Sequence, residues 1–96
     1  MYGMITKITV KPGERDPVIG ILGDCTTSLP GCLSYIIARD AADADVIWVT
    51  EAWVSQAMHD TSLSLPRVVK AIGEARPRIS QFERIAVTAP VRGVRG

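Results

Sequence analysis

Residues 46–54, VIWVTEAWV, constrain the fold of this chain more than any other segment. Their β-branched and aromatic side chains predict a strand. Apolar residues occupy both of its alternating faces: Val46, Trp48, Ala52 and Val54 on one, and Ile47, Val49 and Trp53 on the other. An antiparallel sheet that helices cover on one side usually alternates apolar with polar residues. This strand therefore predicts a sheet that is covered on both faces.

The length of the chain decides what can cover the second face. With 96 residues the chain is long enough for one domain, which we predict over residues 1–96. A single layer of helices can cover only one face of the sheet. A second copy of the chain can cover the other, so the pattern predicts a homodimer in which the face of Trp48 meets the partner.

The remaining segments predict the element order β-α-β-β-α-β. Strands are expected over residues 4–11, 32–39, 46–54 and 81–89. The six-residue turn at 40–45 suits an antiparallel hairpin between the second and third strands. This order is the split βαβ arrangement of ferredoxin-like domains. The predicted fold class is therefore α+β, with an antiparallel four-stranded sheet.

Several local signals predict where the helices begin and end. Asp16 followed by Pro17 predicts the start of the first helix, with Asp16 as its N-cap. Ser55 is expected to cap a short helix that runs through His59, and another helical stretch begins near residues 64–66. Residues 90–96 are expected to form a loose tail. The first helix carries an apolar stripe at helical spacing, namely Val18, Ile21, Leu22, Cys25 and Leu29.

Charge and composition exclude several classes of protein. The net charge is +1, and the eleven Lys and Arg residues are scattered, so no basic patch supports nucleic-acid binding. No apolar stretch approaches the roughly 20 residues of a membrane span, and the N-terminus lacks a signal-peptide pattern, so we expect a cytoplasmic protein without membrane contact. Cys25 and Cys32 are expected to be free thiols.

Four short segments together resemble the antibiotic-biosynthesis monooxygenase family. They are KPG after the first strand, PGCLSY entering the second, TEAW at the end of the third, and SLSLP at the start of the later helix. The resemblance covers nearly the whole chain in order and spacing. It implies a dimeric α+β barrel in which two sheets pack face to face. The family includes oxygenases of quinols and polycyclic aromatic ketides that use neither flavin nor metal, and a branch that degrades haem.

Two departures from the family pattern affect the expected chemistry. Many members carry a helical His about nine residues after the Trp of the third strand; here Ser62 stands at that spacing from Trp53, whereas His59 comes earlier. The haem-degrading branch pairs this Trp and His with an Asn on the first strand. The corresponding position here is Thr6, and the sequence contains no Asn. Haem degradation is therefore disfavoured.

The motifs that bind nucleotides, flavins or metals are missing from the sequence, so no cofactor is expected. An oxygenase can work without one if the substrate itself donates electrons after losing a proton. Such an enzyme needs an apolar pocket, a base and hydrogen-bonding groups. His59, the only histidine, is the first candidate for the base, with a solvated helix residue beside Asp60 as the alternative. Trp53 and Tyr35 complete the predicted catalytic set, or else fill the core.

Four further residues are candidates for substrate binding. Glu51 shares the face of Trp53, so it could be a buried carboxylate that acts as base, or it could pair with Arg39 or Arg84. The other three are the hydroxyl donors Thr6 and Ser62, and Met58 as part of a pocket wall; each could equally be an ordinary structural position.

Three functions remain open from the sequence. The leading hypothesis is a cofactor-independent monooxygenase that acts on an aromatic quinol or polyketide-like substrate. The second is a dimeric binding module for a small apolar ligand, and the third is a structural dimer that fills its own pocket. A pocket where Trp53, His59 and Tyr35 converge would favour the first, a purely aliphatic pocket the second, and no cavity the third.

Overall fold

The computed structural model describes residues 1–93 and confirms the predicted α+β class. Four strands and three helices follow the ferredoxin-like order, with the second helical region divided into two short helices. The strands are β1 Tyr2–Val10, β2 Cys32–Arg39, β3 Val46–Trp53 and β4 Ile79–Thr88. The helices are α1 Arg15–Cys25, α2 Gln56–Ser62 and α3 Pro66–Ala75, and a 3-10 turn, Arg76–Arg78, joins α3 to β4.

The four strands form one antiparallel sheet in the order β2-β3-β1-β4. In its register Glu51 of β3 lies opposite Met4 of β1 and opposite Tyr35 of β2. The alternation of side chains along β1 and β3 then places Thr6, Glu51 and Trp53 on the face that carries the helices. Trp48 lies on the opposite face, as the sequence predicts.

The start of α1 differs from the prediction. The helix begins at Arg15, and Glu14 rather than Asp16 occupies the N-cap position. Asp16 lies inside the first turn, where its carboxylate accepts hydrogen bonds from Arg39 at 2.9 and 3.1 Å. Pro17 does not fix the start, because none of the first N–H groups of a helix has a partner within the helix. Leu29 lies beyond the helix, although it is buried as the stripe predicts.

Two apolar clusters pack between the helices and the sheet. The first contains Ile8, Val10, Val18, Ile47 and Val49, and the second contains Leu29, Trp53 and Val68. Along the strands, the row of Met4, Glu51 and Tyr35 lies between the residues of the two clusters. The helix-facing side of the sheet therefore carries a polar position in the middle of an apolar core.

The opposite side of the sheet has no covering layer within residues 1–93. Trp48 is half-buried there, and Ile36 on β2, opposite Thr50, is exposed. The edge strand β4 leaves Phe82, Ile85 and Val87 exposed as well, although Phe82 and Val87 lie opposite Ile8 and Met4 and therefore on the helix-facing side. None of the helices in residues 1–93 has the length and hydropathy that a membrane span requires.

The end of the described chain lies against the start of β1. A Cβ atom at Gly3 would come within 2.9 Å of the Pro90 ring, so glycine allows this close approach. Of the predicted loose tail at 90–96, residues 94–96 lie outside the described residues. Both cysteines are free thiols, with Cys25 buried and Cys32 half-buried.

Candidate functional site

A buried carboxylate is the most unusual feature of the helix-facing side. Only 9% of the Glu51 side chain is exposed, and no Lys or Arg within residues 1–93 forms an ion pair with it. The alternative of a pair with Arg39 or Arg84 is therefore wrong: Arg39 binds Asp16 instead. The indole Nε1 of Trp53 donates a hydrogen bond of 3.0 Å to Oε1 of Glu51.

Trp53 reaches this carboxylate because the two residues are separated by two positions on one strand. They therefore share a face of the sheet. The indole is almost fully buried and packs in the cluster with Leu29 and Val68. Its N–H is thus held in a fixed direction, towards Glu51.

His59 reaches the same carboxylate from α2. The Oγ of Ser55 accepts a hydrogen bond from the N–H of Met58 and so fixes the start of this helix, as predicted. The imidazole is 7% exposed, and Nε2 lies 3.9 Å from Oε1 of Glu51. The alternative of a solvated His59 is therefore wrong. Although α2 is short, its inner face is covered by the sheet.

Two aromatic rings and one carboxylate orient the imidazole. Its centroid lies 5.5 Å from that of Trp53, in an edge-on arrangement, and 5.4 Å from that of Tyr2. Its Nδ1 lies 2.9 Å from Oδ1 of Asp60. Tyr2 and Asp60 were missing from the predicted site. Tyr2 precedes the predicted first strand, and Asp60, next to His59 in the sequence, indicates only solvent exposure.

Burial dominates the electrostatics of this centre. It raises the pKa of Glu51 above the ordinary value, and the hydrogen bond from Trp53 and the charges of His59 and Arg84 oppose the rise only in part. Burial also raises the pKa of Tyr35 far above its usual range, with a contribution from the charge of Glu51. Tyr35 is therefore a neutral phenol, able to donate a hydrogen bond.

The other candidates for substrate binding lie at different distances from this centre. Thr6 is buried on the same face of β1, opposite Val49. The hydroxyl of Ser62 donates to the carbonyl oxygen of His59 at 2.6 Å, so it is already engaged within the helix. Met58 is exposed and, with Ser62, lines a separate small pocket of about 40 Å³. The structure therefore brings together Trp53, Glu51 and His59, but places Met58 and Ser62 elsewhere.

A larger cavity, of about 480 Å³, lies between α1, α3 and β4. None of Trp53, His59 and Tyr35 lines it, so this cavity is not the pocket of these three residues that would favour the monooxygenase. The residue of β1 that lines this cavity is Ile8. It lies four residues from Met4, the residue opposite Glu51, which corresponds to about 13 Å along the strand. Its lining consists of Ile8, Leu22, Ile72, Ala75, Ile79 and Phe82, together with Arg76, Ser80 and Gln81.

The described part of the chain offers no set of metal ligands. Within residues 1–93, no group of three or more His, Cys, Asp and Glu side chains is arranged to hold a metal ion.

Comparison with solved structures supports the fold and indicates the family. A protein of Chloroflexus aurantiacus J-10-fl, described as a "putative Antibiotic biosynthesis monooxygenase", is 46% identical, with a TM-score of 0.89 over 97% of this chain and 95% of that chain. A Mycobacterium tuberculosis protein has a TM-score of 0.81 at 18% identity, covering 98% of both chains. A conserved protein of Methanosarcina mazei Go1 has a TM-score of 0.80 at 13% identity, covering 91% of this chain and 89% of that chain. The last two show the fold alone.

The family comparison covers most of the sequence. No curated protein matches the chain significantly. The model of the family described as "Antibiotic biosynthesis monooxygenase" matches residues 1–74, which include Thr6, Glu51, Trp53 and His59. The chain therefore belongs to the antibiotic biosynthesis monooxygenase family.

Proposed function

We propose that this protein is a cofactor-independent monooxygenase that oxidises an aromatic quinol or polyketide-like substrate with dioxygen. The observation that carries the proposal is the carboxylate of Glu51, which is buried on the face of the sheet below the helices. It accepts a hydrogen bond from Trp53 and faces His59. Burial without a Lys or Arg partner destabilises the charged form of a carboxylate and so raises its pKa. Carboxylates in such surroundings are typical general bases.

The chemistry needs only a base and a substrate that can donate electrons. Loss of the phenolic proton gives an electron-rich anion, which reduces dioxygen and forms a C–O bond to a peroxide at a ring carbon. Cleavage of the O–O bond, with loss of the hydrogen on that carbon, then releases water and leaves a carbonyl group. In the overall reaction a CH₂ group, or a C–H and an O–H bond together, reacts with O₂ and gives C=O and H₂O. No external reductant is required.

Each residue of the centre has a role in this scheme. Glu51 takes the phenolic proton, because its raised pKa makes it a stronger base than an ordinary carboxylate. Trp53 holds the carboxylate in place through its indole N–H. Tyr35 donates a hydrogen bond to a substrate oxygen, and Thr6 is a second hydroxyl within reach of the same row. His59 stabilises the centre beside Glu51 rather than acting alone as the base.

The proposed working form is a cytoplasmic homodimer that binds a small aromatic substrate. The uncovered face of the sheet, with Trp48 half-buried and Ile36 exposed, favours a second copy as its partner. A dimer would also help to exclude bulk water from the reaction, which prevents side reactions of the peroxide.

Oxygen uptake by chelator-treated protein, measured across a panel of quinols and hydroxyanthrones, tests this proposal. We expect uptake with at least one of these substrates, and a loss of ~10²-fold or more in Glu51→Gln, the usual size of a general-base contribution. Asp40→Asn is the matched control, because Asp40 also accepts a hydrogen bond from an indole but lies outside the centre. Wild-type turnover that persists unchanged in Glu51→Gln would contradict the assignment of the base.

The cavity between α1, α3 and β4 favours a second candidate function, a binding module for a small apolar ligand. Its volume of about 480 Å³ lies within the range of small-molecule sites, and its lining is largely apolar. The same cavity argues against the third hypothesis, a structural dimer without a pocket.

Binding of 1-anilinonaphthalene-8-sulfonate, followed by fluorescence, distinguishes this candidate. Phe82→Ser should weaken binding because Phe82 lines the cavity. Ile85→Ser is the control, since Ile85 lies on the same strand and is also exposed, at 49% against 61% for Phe82, but does not line the cavity. Tight, Phe82-dependent binding without oxygen uptake on any quinol would favour the binding module.

A further inference from the structure

Three side chains form a line from the protein surface to the buried carboxylate. The side chain of Asp60 is 60% exposed, and its Oδ1 lies 2.9 Å from Nδ1 of His59. The other ring nitrogen, Nε2, lies 3.9 Å from Oε1 of Glu51. The imidazole packs against Tyr2 and Trp53, so it cannot turn freely. A carboxylate, an imidazole and a second carboxylate thus follow one another from solvent to core.

The contact with Asp60 determines which ring nitrogen carries the proton. An ionised carboxylate has only acceptor sites, so the 2.9 Å contact requires a hydrogen on Nδ1. In the neutral imidazole the other nitrogen then has a free lone pair, and this lone pair is directed towards Glu51. A neutral His59 with the opposite tautomer would place two acceptors against each other at the Asp60 contact.

We propose that Asp60 is a positioning residue that holds His59 with Nδ1 protonated and Nε2 directed at Glu51, so that Glu51 and His59 together store one proton. For its use in turnover, this inference rests on the proposed function. The proton that Glu51 takes from a substrate hydroxyl passes to Nε2 and gives an imidazolium between two carboxylates. It returns through Glu51 to the leaving peroxide oxygen, which departs as water, so no proton is gained or lost overall.

The distance between His59 and Glu51 and the charges around them fit a pair of residues that takes up one proton during the reaction. At 3.9 Å, Nε2 and Oε1 are too far apart for a hydrogen bond, but an imidazolium and a carboxylate attract each other strongly in a buried site. Other ionisable neighbours are Tyr2 on β1, and Cys32 and Tyr35 on β2. On β4, the positive charge of Arg84 acts on Glu51. Within residues 1–93, only Asp60 among these groups offers Nδ1 a carboxylate.

Nitrogen NMR of the imidazole tests the proposal directly, because His59 is the only histidine in the chain. In ¹⁵N-labelled wild-type protein with a neutral ring, we expect the Nδ1–H tautomer. Asp60→Ala should shift the population towards the Nε2–H tautomer, because the carboxylate that accepts from Nδ1–H is lost. Asp24→Ala, which removes an exposed acidic residue from α1, should leave the tautomer unchanged.

Kinetic measurements separate the failure of this inference from that of the proposed function. With a quinol that the wild type oxidises, Asp60→Ala should lower kcat several-fold and leave KM nearly unchanged, because Asp60 does not contact the substrate. A wild-type Nε2–H tautomer, or an unchanged tautomer in Asp60→Ala, would overturn the inference even if Glu51-dependent oxygen uptake persists. The expected NMR result without any quinol oxidation would overturn the proposed function alone.

Discussion

The two tryptophans of β3 make the same kind of hydrogen bond on opposite faces of the sheet, but the pKa values of the two carboxylates that accept these bonds are shifted in opposite directions. Trp53 donates to Glu51 at 3.0 Å under the helices, and Trp48 donates to Asp40 at 2.7 Å on the uncovered side. The pKa of Asp40 is lowered to about 2, chiefly by this hydrogen bond. The pKa of Glu51 is raised, because burial outweighs the bond.

This comparison teaches that burial, rather than the hydrogen-bond partner, decides what a carboxylate on this strand can do. Asp40 remains ionised and forms further bonds to the N–H groups of Ala42 and Asp43, which hold the hairpin turn. It has a structural role. Glu51 has one indole and one distant imidazole in place of water, so its pKa is raised and it is a stronger base than an ordinary carboxylate.

The largest effect should come from a charge placed on the uncovered face. If a second copy covers Trp48, the protein should run as a dimer of about 20 kDa, twice the 10.4 kDa of one chain, with an interface of more than ~1,000 Å². Trp48→Glu should then dissociate or unfold the dimer, because a charge would enter a dry interface. Light scattering of both proteins checks this.

The control for this change lies on an exposed part of the same molecule. Leu63→Glu, just after α2 and away from the sheet, should leave the dimer intact. A wild-type protein that scatters as a single 10 kDa species would refute the dimer. Trp48 would then stay half-buried, as it is in the single chain, on a face that no second copy covers.

An intermediate effect is expected when each indole loses its N–H. Trp53→Phe removes a bond that lowers the pKa of Glu51, so that pKa should rise further and the rising limb of the rate–pH profile should move to higher pH. A hydrogen bond to a charged group contributes about 1.5 kcal/mol or more, so the rate below the limb should fall roughly tenfold. Trp48→Phe should leave the profile unchanged. A profile that does not move in Trp53→Phe would show that Glu51 is not the titrating base.

Most of the fold could be predicted from the sequence, because the pattern of apolar residues is repeated over whole elements. The strand at 46–54 and the hairpin turn at 40–45 each rest on several neighbouring residues. The predicted start of α1 is wrong because the prediction depends on a single carboxylate, that of Asp16. Arg39 of β2 binds this carboxylate instead. Local signals predict a cap, but contacts between distant residues can override them.

The candidate site was predicted only in part, for a related reason. The shared face of Glu51 and Trp53 follows from strand alternation, which the sequence shows directly. The burial of His59 depends on how a seven-residue helix packs against the sheet, which no local pattern of α2 records. The ion pair with Arg39 that the sequence suggested for Glu51 is absent because Arg39 lies opposite Ile47, four residues along β3 from Glu51, and pairs with Asp16 instead.

The smallest effect, on stability, should have opposite signs for the two carboxylates. The pKa of Glu51 is higher in the folded protein than the ordinary value of about 4.3 expected for the unfolded chain. Between these two values the folded protein binds more protons, so stability decreases as the pH rises through this window. Asp40 behaves in the opposite way: its contribution is complete above the ordinary Asp pKa and is lost as the pH falls towards about 2.

Replacing each carboxylate by its amide should reveal these signs. Glu51→Gln cannot ionise and keeps an acceptor for the indole of Trp53, so at neutral pH it should be more stable than the wild type by about 1 kcal/mol. This gain should disappear as the pH falls below the ordinary Glu pKa of about 4.3, where Glu51 becomes protonated in both states. Asp40→Asn should instead be less stable at neutral pH and approach the wild type in acid. Urea denaturation at several pH values and one protein concentration, followed by tryptophan fluorescence, measures both differences.

If Glu51→Gln is the less stable variant at neutral pH, the contacts of the carboxylate outweigh its burial. Glu51 would then be a structural residue like Asp40.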